Sequence, residues 1–163
     1  MFFRLVYSAL FLVLCLSIFG RGEAALSCAA RDLTILTADD THIFSAEIAN
    51  TFADRQKGLM FRREIAPDFA MLFVMGKTAP VAFWMKNTYV PLDLLFVDAK
   101  GVIQTVHQNA RPHDLSLIPS RVPVAYVVEI AAGQVQARNI QHGDRVFHHE
   151  IKEFSPENPC IVK

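Results

Sequence analysis

What this sequence has little of narrows its function before any motif is read. Charged residues make up 20% of the 163-residue chain, and 16 basic residues balance 16 acidic ones. No basic patch or stripe appears, so the chain lacks the electrostatic footprint of a nucleic-acid binder. No polybasic stretch follows its one long apolar run, which removes headgroup attraction as a route to a membrane. It has no glycine-rich phosphate loop and no Gly-x-Ser-x-Gly nucleophile turn. The six histidines fall at no zinc spacing: His148 and His149 are adjacent, and His107 and His113 flank Arg111-Pro112. No metal site and no cofactor is implied. Repeats, low-complexity segments and long linkers are missing too, so one domain is expected.

Cysteine is scarce, and position matters more than number. Residues 1–4 supply a short basic region, residues 5–19 an apolar run, and Gly22-Glu23-Ala24 the small residues that a signal peptidase reads. This is the layout of a secretory signal peptide over 1–24, with residues 25–163 as the mature domain. The run is shorter than the roughly 20 residues that span a bilayer comfortably, so a retained anchor is the lesser alternative and the only expected membrane contact. The destination is periplasmic or secreted. Cys15 leaves with the signal, and Cys28 and Cys160 remain near opposite ends. In an oxidising compartment a disulfide clamp joining the tails is their simplest use. The alternative is a lipidated Cys28, although Ala25-Leu26-Ser27 lacks the usual large aliphatic residue three positions before the cysteine.

The patterning is that of short strands. Residues 33–37 and 42–49 read as strands about a 38–41 turn, with Phe44, Ala46 and Ile48 alternating against Ser45, Glu47 and Ala49. Thr51 can cap a short helix over 52–57, with Asp54 in its first turn and Gly58 ending it in a left-handed conformation. Residues 62–69 read as a loop. Residues 71–75 and 81–85 read as strands separated by a break at 76–80. Residues 92–98 and 102–108 read as a hairpin about Asp98-Ala99-Lys100-Gly101. A long loop over 109–122 precedes a β-branched strand at 124–130. A short helix at 134–140 and a strand at 145–151 follow. The whole argues for a mainly β sandwich or barrel with one or two short helices.

Arg55, Gly58-Leu59-Met60, Arg62, Met71-Leu72-Phe73, Phe83-Trp84-Met85-Lys86-Asn87-Thr88, Pro91-Leu92-Asp93, Phe96, Asp98 and Gly101 occur in that order. Val128-Glu129, Gly133 and Gly143-Asp144 come after them. This series resembles the family called domain of unknown function 192, over about residues 33–150. Ala70 departs from it, standing where the family usually has glycine. The resemblance implies a jelly-roll-like β sandwich and no activity.

Trp84, Lys86, Asn87 and Asp93 form the densest polar and aromatic cluster. On a strand, Trp84 and Lys86 would share a face, giving an aromatic platform beside a cation, an amide and a carboxylate. The bland alternative is that Trp84 packs, Lys86 pairs with Asp93 or Glu129, and Asn87-Thr88 shapes a turn. Glu129 interrupts a β-branched strand and so needs solvent or a partner, for which Arg55 is the preferred residue. Arg55, Arg62, Asp93 and Glu129 could form a network across the opening of the fold. Met60, Met71, Met75 and Met85 offer soft sulfur suited to Cu(I), but they lack copper-motif spacing and methionine is a common core filler.

The leading expectation is a binding module for a small ligand or an envelope partner, with Arg55, Trp84, Lys86, Asn87, Asp93 and Glu129 as candidate ligand contacts. The alternatives are a small hydrolase or isomerase using Lys86, Asp93 and Glu129 as acid/base groups, and copper binding through methionine.

Overall fold

A computed structural model of the protein describes residues 32–152. The expected 1–24 signal peptide and the expected Cys28–Cys160 clamp lie outside the described residues.

β1 (Asp32–Leu36) and β2 (Thr41–Ala49) form an antiparallel hairpin, closed by a Thr37–Asp40 turn in which the Asp40 N–H donates to Thr37 Oγ1 at 3.1 Å. α1 (Phe52–Lys57) starts as its cap predicts, the Asp54 N–H donating to Thr51 Oγ1 at 3.1 Å. Gly58 closes it at φ 45 and ψ −135, a positive φ as expected but outside the left-handed helical well. The chain then crosses over so that β3 (Phe69–Ala79) runs parallel to β2.

β3 does not stop at the predicted 76–80 break. Gly76 takes φ 76, the register against the neighbouring strand shifts between Val74 and Ala79, and the strand bends instead of ending. The 81–85 run, by contrast, forms only the two-residue β4 (Ala82–Phe83). β5 (Leu92–Val97) and β6 (Ile103–Ala110) make the predicted hairpin. Asp98 Oδ1 holds it by accepting from the Lys100 and Val102 N–H groups at 2.8 and 2.9 Å. Gly101 is required there, since a Cβ would sit 2.5 Å from the Val146 carbonyl oxygen.

The expected 109–122 loop contains a short strand, β7 (Ile118–Pro119), that pairs with β4 as a small second sheet. β8 (Val124–Ala131) follows, then α2 (Gln134–Ala137), which is shorter than the 134–140 helix read from sequence. β9 (Arg145–Phe147) ends four residues early, because His148–Ile151 folds into a turn with the Ile151 N–H on the His148 carbonyl.

The main sheet runs β6-β5-β8-β3-β2-β1-β9. It curls until its two edges approach, with a bridge between Val102 and Arg145 and the Val146 N–H donating to the Gly101 carbonyl at 2.7 Å. The fold is therefore mainly β, a curled half-barrel with two short helices among the described residues. Its concave face buries Leu33, Ile35, Phe44, Leu72, Leu95 and Val128. The other face carries a second apolar layer including Phe73, Leu94 and Phe96, on which Leu59 from the exit of α1, Phe83 of β4 and Met85 pack. Ala70 lies inside β3, fully buried and paired with Ala46 and Ile130, so no turn is needed where the family usually has glycine.

Candidate functional site

The outer face of the sheet holds a cavity of about 560 Å³, bounded by α1 and its exit, β3, β8 and the segment following β4. Five of the six candidate residues line it: Arg55, Trp84, Lys86, Asn87 and Glu129. The sixth, Asp93, does not.

The separation of Asp93 from Glu129 follows from strand parity. Leu94 of β5 pairs with Glu129 of β8, whereas Asp93 pairs with Ile130. Successive side chains on a strand point to opposite faces, so Asp93 and Glu129 lie on opposite sides of one sheet. Asp93 is fully buried and accepts from the backbone N–H groups of Asn109 at 2.9 Å and Val135 at 3.0 Å. It pins the end of β6 and the start of α2. An acid/base trio of Lys86, Asp93 and Glu129 therefore does not assemble.

Glu129 lies deep in the cavity, 5% exposed, between Met71 on β3 and Leu94 on β5. Its Oε2 has no hydrogen-bond partner among the described residues. Burial alone raises its carboxyl from 4.5 to about 8, so at neutral pH the group is mostly protonated. The expected pairing with Arg55 does not form. The Arg55 guanidinium donates to the carbonyls of Asn50 and Val74, at 2.6 and 3.0 Å, and so ties the crossover to β3. Arg62 is drawn away too, forming an ion pair with Glu47 and stacking over Phe69. Each arginine finds nearer acceptors, so the network expected across the opening is replaced by local ties.

Trp84 lies just past β4 with 46% of its surface exposed, and Lys86 sits in a turn with its Nζ 5.3 Å from the Trp84 ring centroid. The two meet by a cation–π contact in a turn, not by sharing a strand face as expected. No ion pair links Lys86 to Asp93 or Glu129 among the described residues. Asn87 takes φ 55 and shapes the turn, while its Nδ2 approaches Met60 Sδ at 4.0 Å.

Three positive-φ residues, Phe61, Asn87 and His113, fall in neighbouring loops tied by backbone bonds. The Phe61 N–H donates to the Asn87 carbonyl at 2.8 Å, and the His113 N–H to the Thr88 carbonyl at 3.2 Å. For a bulky residue such as Phe61 this conformation is strained, and strain of this kind gathers at ligand sites. Gly58 forms part of the wall. A Cβ there would lie 3.2 Å from the Phe73 ring and 4.0 Å from Glu129 Oε2, in a backbone conformation that L side chains rarely adopt.

Among the methionines, Met60 and Met75 line the cavity, while Met71 and Met85 are buried in the apolar layer beneath it. No cluster of three or more His, Cys, Asp or Glu suited to a metal occurs among the described residues. Sequence reasoning missed Lys57 and Leu117 as lining residues. Neither stands in a motif, and only the crossover and the 111–117 loop bring them in. Gly58 and Phe73 did stand in the series quoted above, but as residue types without chemistry of their own.

A family model for DUF192, described as "Uncharacterized ACR", matches residues 34–148. The chain is similar to the crystal structure of a "putative transcription regulator" from Sinorhizobium meliloti 1021, with 48% identity and a TM-score of 0.70 over 74% of this chain and 95% of that one. It is also similar to a protein of unknown function from Novosphingobium aromaticivorans DSM 12444, with 35% identity and a TM-score of 0.69 over 71% of this chain and 82% of the other. No curated protein matches it.

Proposed function

Given that the chain belongs to the DUF192 family, whose description assigns no activity, we propose from its own site that it is an exported module binding a small molecule in the Glu129 cavity. One observation carries this reading. The members of the family-like series that line the cavity are scattered from 55 to 129 in sequence, yet they make up most of its wall. A volume of about 560 Å³ lies within the range of small-molecule sites. An apolar lining with a few polar groups favours a small ligand over an envelope protein. The acid/base reading is weaker because Asp93 is on the other face, and the copper reading because only two of the four thioethers reach the cavity. The regulator named in the Sinorhizobium relative is not carried over. Sixteen basic against 16 acidic residues offer no phosphate-binding stripe.

Trp84→Ala tests the site. The ring is already half exposed, so the variant should keep a denaturant midpoint close to that of the wild type. Ligands found by saturation-transfer NMR against the wild-type protein should bind it about tenfold more weakly, the loss of one aromatic contact. Hits that bind the variant as well as the wild type place the site elsewhere. Export is tested separately by intact mass of the protein from its native host. The chain should begin close to Ala25, and a Met1 start would overturn that part of the reading.

A further inference from the structure

Resting on the cavity reading, we propose that the ligand is a small organic anion with an apolar body, its charge held by Lys57 and Lys86 and an acceptor oxygen at its inner end hydrogen-bonded by the Glu129 carboxyl. The chemistry of the lining argues for each part. Lys57 and Lys86 are exposed, line the cavity, and have no carboxylate partner among the described residues. Arg55 adds a third positive charge, although its guanidinium is bound to two backbone carbonyls. Glu129 is the one carboxyl in the lining among the described residues.

The groups facing Glu129 can be named element by element. The flanking strands present Met71, Phe73 and Leu94, which carry no charge. α1 presents Arg55 and Lys57, and the turn after β4 presents Lys86. None of these cations forms an ion pair with Glu129. An unpaired carboxyl so placed keeps its proton, and a protonated carboxyl is a hydrogen-bond donor. The cavity thus offers cations, apolar walls and one deep donor, whose complement is an anion bearing an acceptor. An amine fits poorly: it would meet like charge from Lys57 and Lys86, and its intended counter-ion would be uncharged until about pH 8.

Three para-substituted benzene probes separate these claims by titration calorimetry on the mature protein. Para-acetylbenzoate carries both the anion and the acceptor, para-isopropylbenzoate keeps the shape without the acceptor, and para-acetylbenzylamine reverses the charge. Para-acetylbenzoate should bind tightest, with each comparator at least fivefold weaker. Lys86→Met should weaken the benzoate at least fivefold.

The pH dependence distinguishes a hydrogen-bonding carboxyl from a merely structural one. Ligand binds the protonated form, so affinity for para-acetylbenzoate should be constant between about pH 5 and 7, where the probe is ionised and Glu129 is not. It should fall towards tenfold per pH unit above about 8, as Glu129 ionises. Glu129→Gln keeps a donor at every pH and should bind without that fall. A wild-type affinity that does not change between about pH 6 and 10, or an amine that binds as tightly as the benzoate, overturns the inference while leaving the cavity reading in place. If none of the three probes binds at millimolar concentration, both are overturned.

Discussion

Replacing Glu129 with glutamine is expected to remove the steepest pH dependence in the protein's stability. The carboxyl ordinarily titrates near 4.5 and is pushed up to about 8 by burial. Because its folded value is raised, its contribution is fully present below about pH 4.5 and is lost as pH rises through 8. The shift corresponds to at most about 5 kcal/mol across that window, a large fraction of the stability of an ordinary domain. The effect should fall short of that limit, since the cavity opens to solvent and local rearrangement lets water reach the carboxylate. The measurement is a series of denaturant midpoints from about pH 4 to 9 for wild type and Glu129→Gln. The gap between the two curves should widen in favour of the variant as pH rises. A constant gap would mean that Glu129 is solvated or paired in the folded protein, and would remove the donor on which the ligand class rests.

Asp93→Ala should be the most destabilising change among the candidate residues, with no bearing on the cavity. The Val135 N–H, which is buried, loses its only side-chain acceptor, while the Asn109 N–H belongs to an exposed residue and can turn to water. One unsatisfied buried donor costs about 1–3 kcal/mol, so a loss of about that size is expected. The fraction that remains folded should bind para-acetylbenzoate with wild-type affinity. The opposite pattern, intact stability with lost binding or lost turnover, would restore Asp93 to the site and revive the acid/base reading.

These two carboxylates show where reading the chain stops. Both stand in β-rich, apolar surroundings, and both carry the family-like series. Their strand periodicity was legible, but the relative phase of two strands is not a property of either one. The β5–β8 register decides that Leu94, not Asp93, lies opposite Glu129. A slip of one residue would have put both acids on the same face. Arg55 illustrates the same limit at side-chain scale. Opposite charge made Glu129 the natural partner, yet the carbonyls of Asn50 and Val74 lie within its reach and take it. Trp84 and Lys86 were correctly grouped for a different reason from the true one, since a turn brings them together where a strand was expected.

Local chemistry determined a good deal unaided. Thr51 capping α1, the Asp98–Gly101 hairpin, the alternation in β2 and the mainly β class all depend on residues close together in the chain. Such features are set by backbone geometry and near-neighbour hydrogen bonds, which sequence states directly. The parallel crossover from β2 to β3, the continuation of β3 past Gly76 and the cavity itself were decided only by tertiary structure. The strand order places β8 between β3 and β5, and burial there turns Glu129 from a strand acid in search of a partner into a carboxyl that keeps its proton. The residue type was visible in the chain, but its protonation depends on how much solvent the folded neighbours exclude, and no short stretch of sequence encodes that.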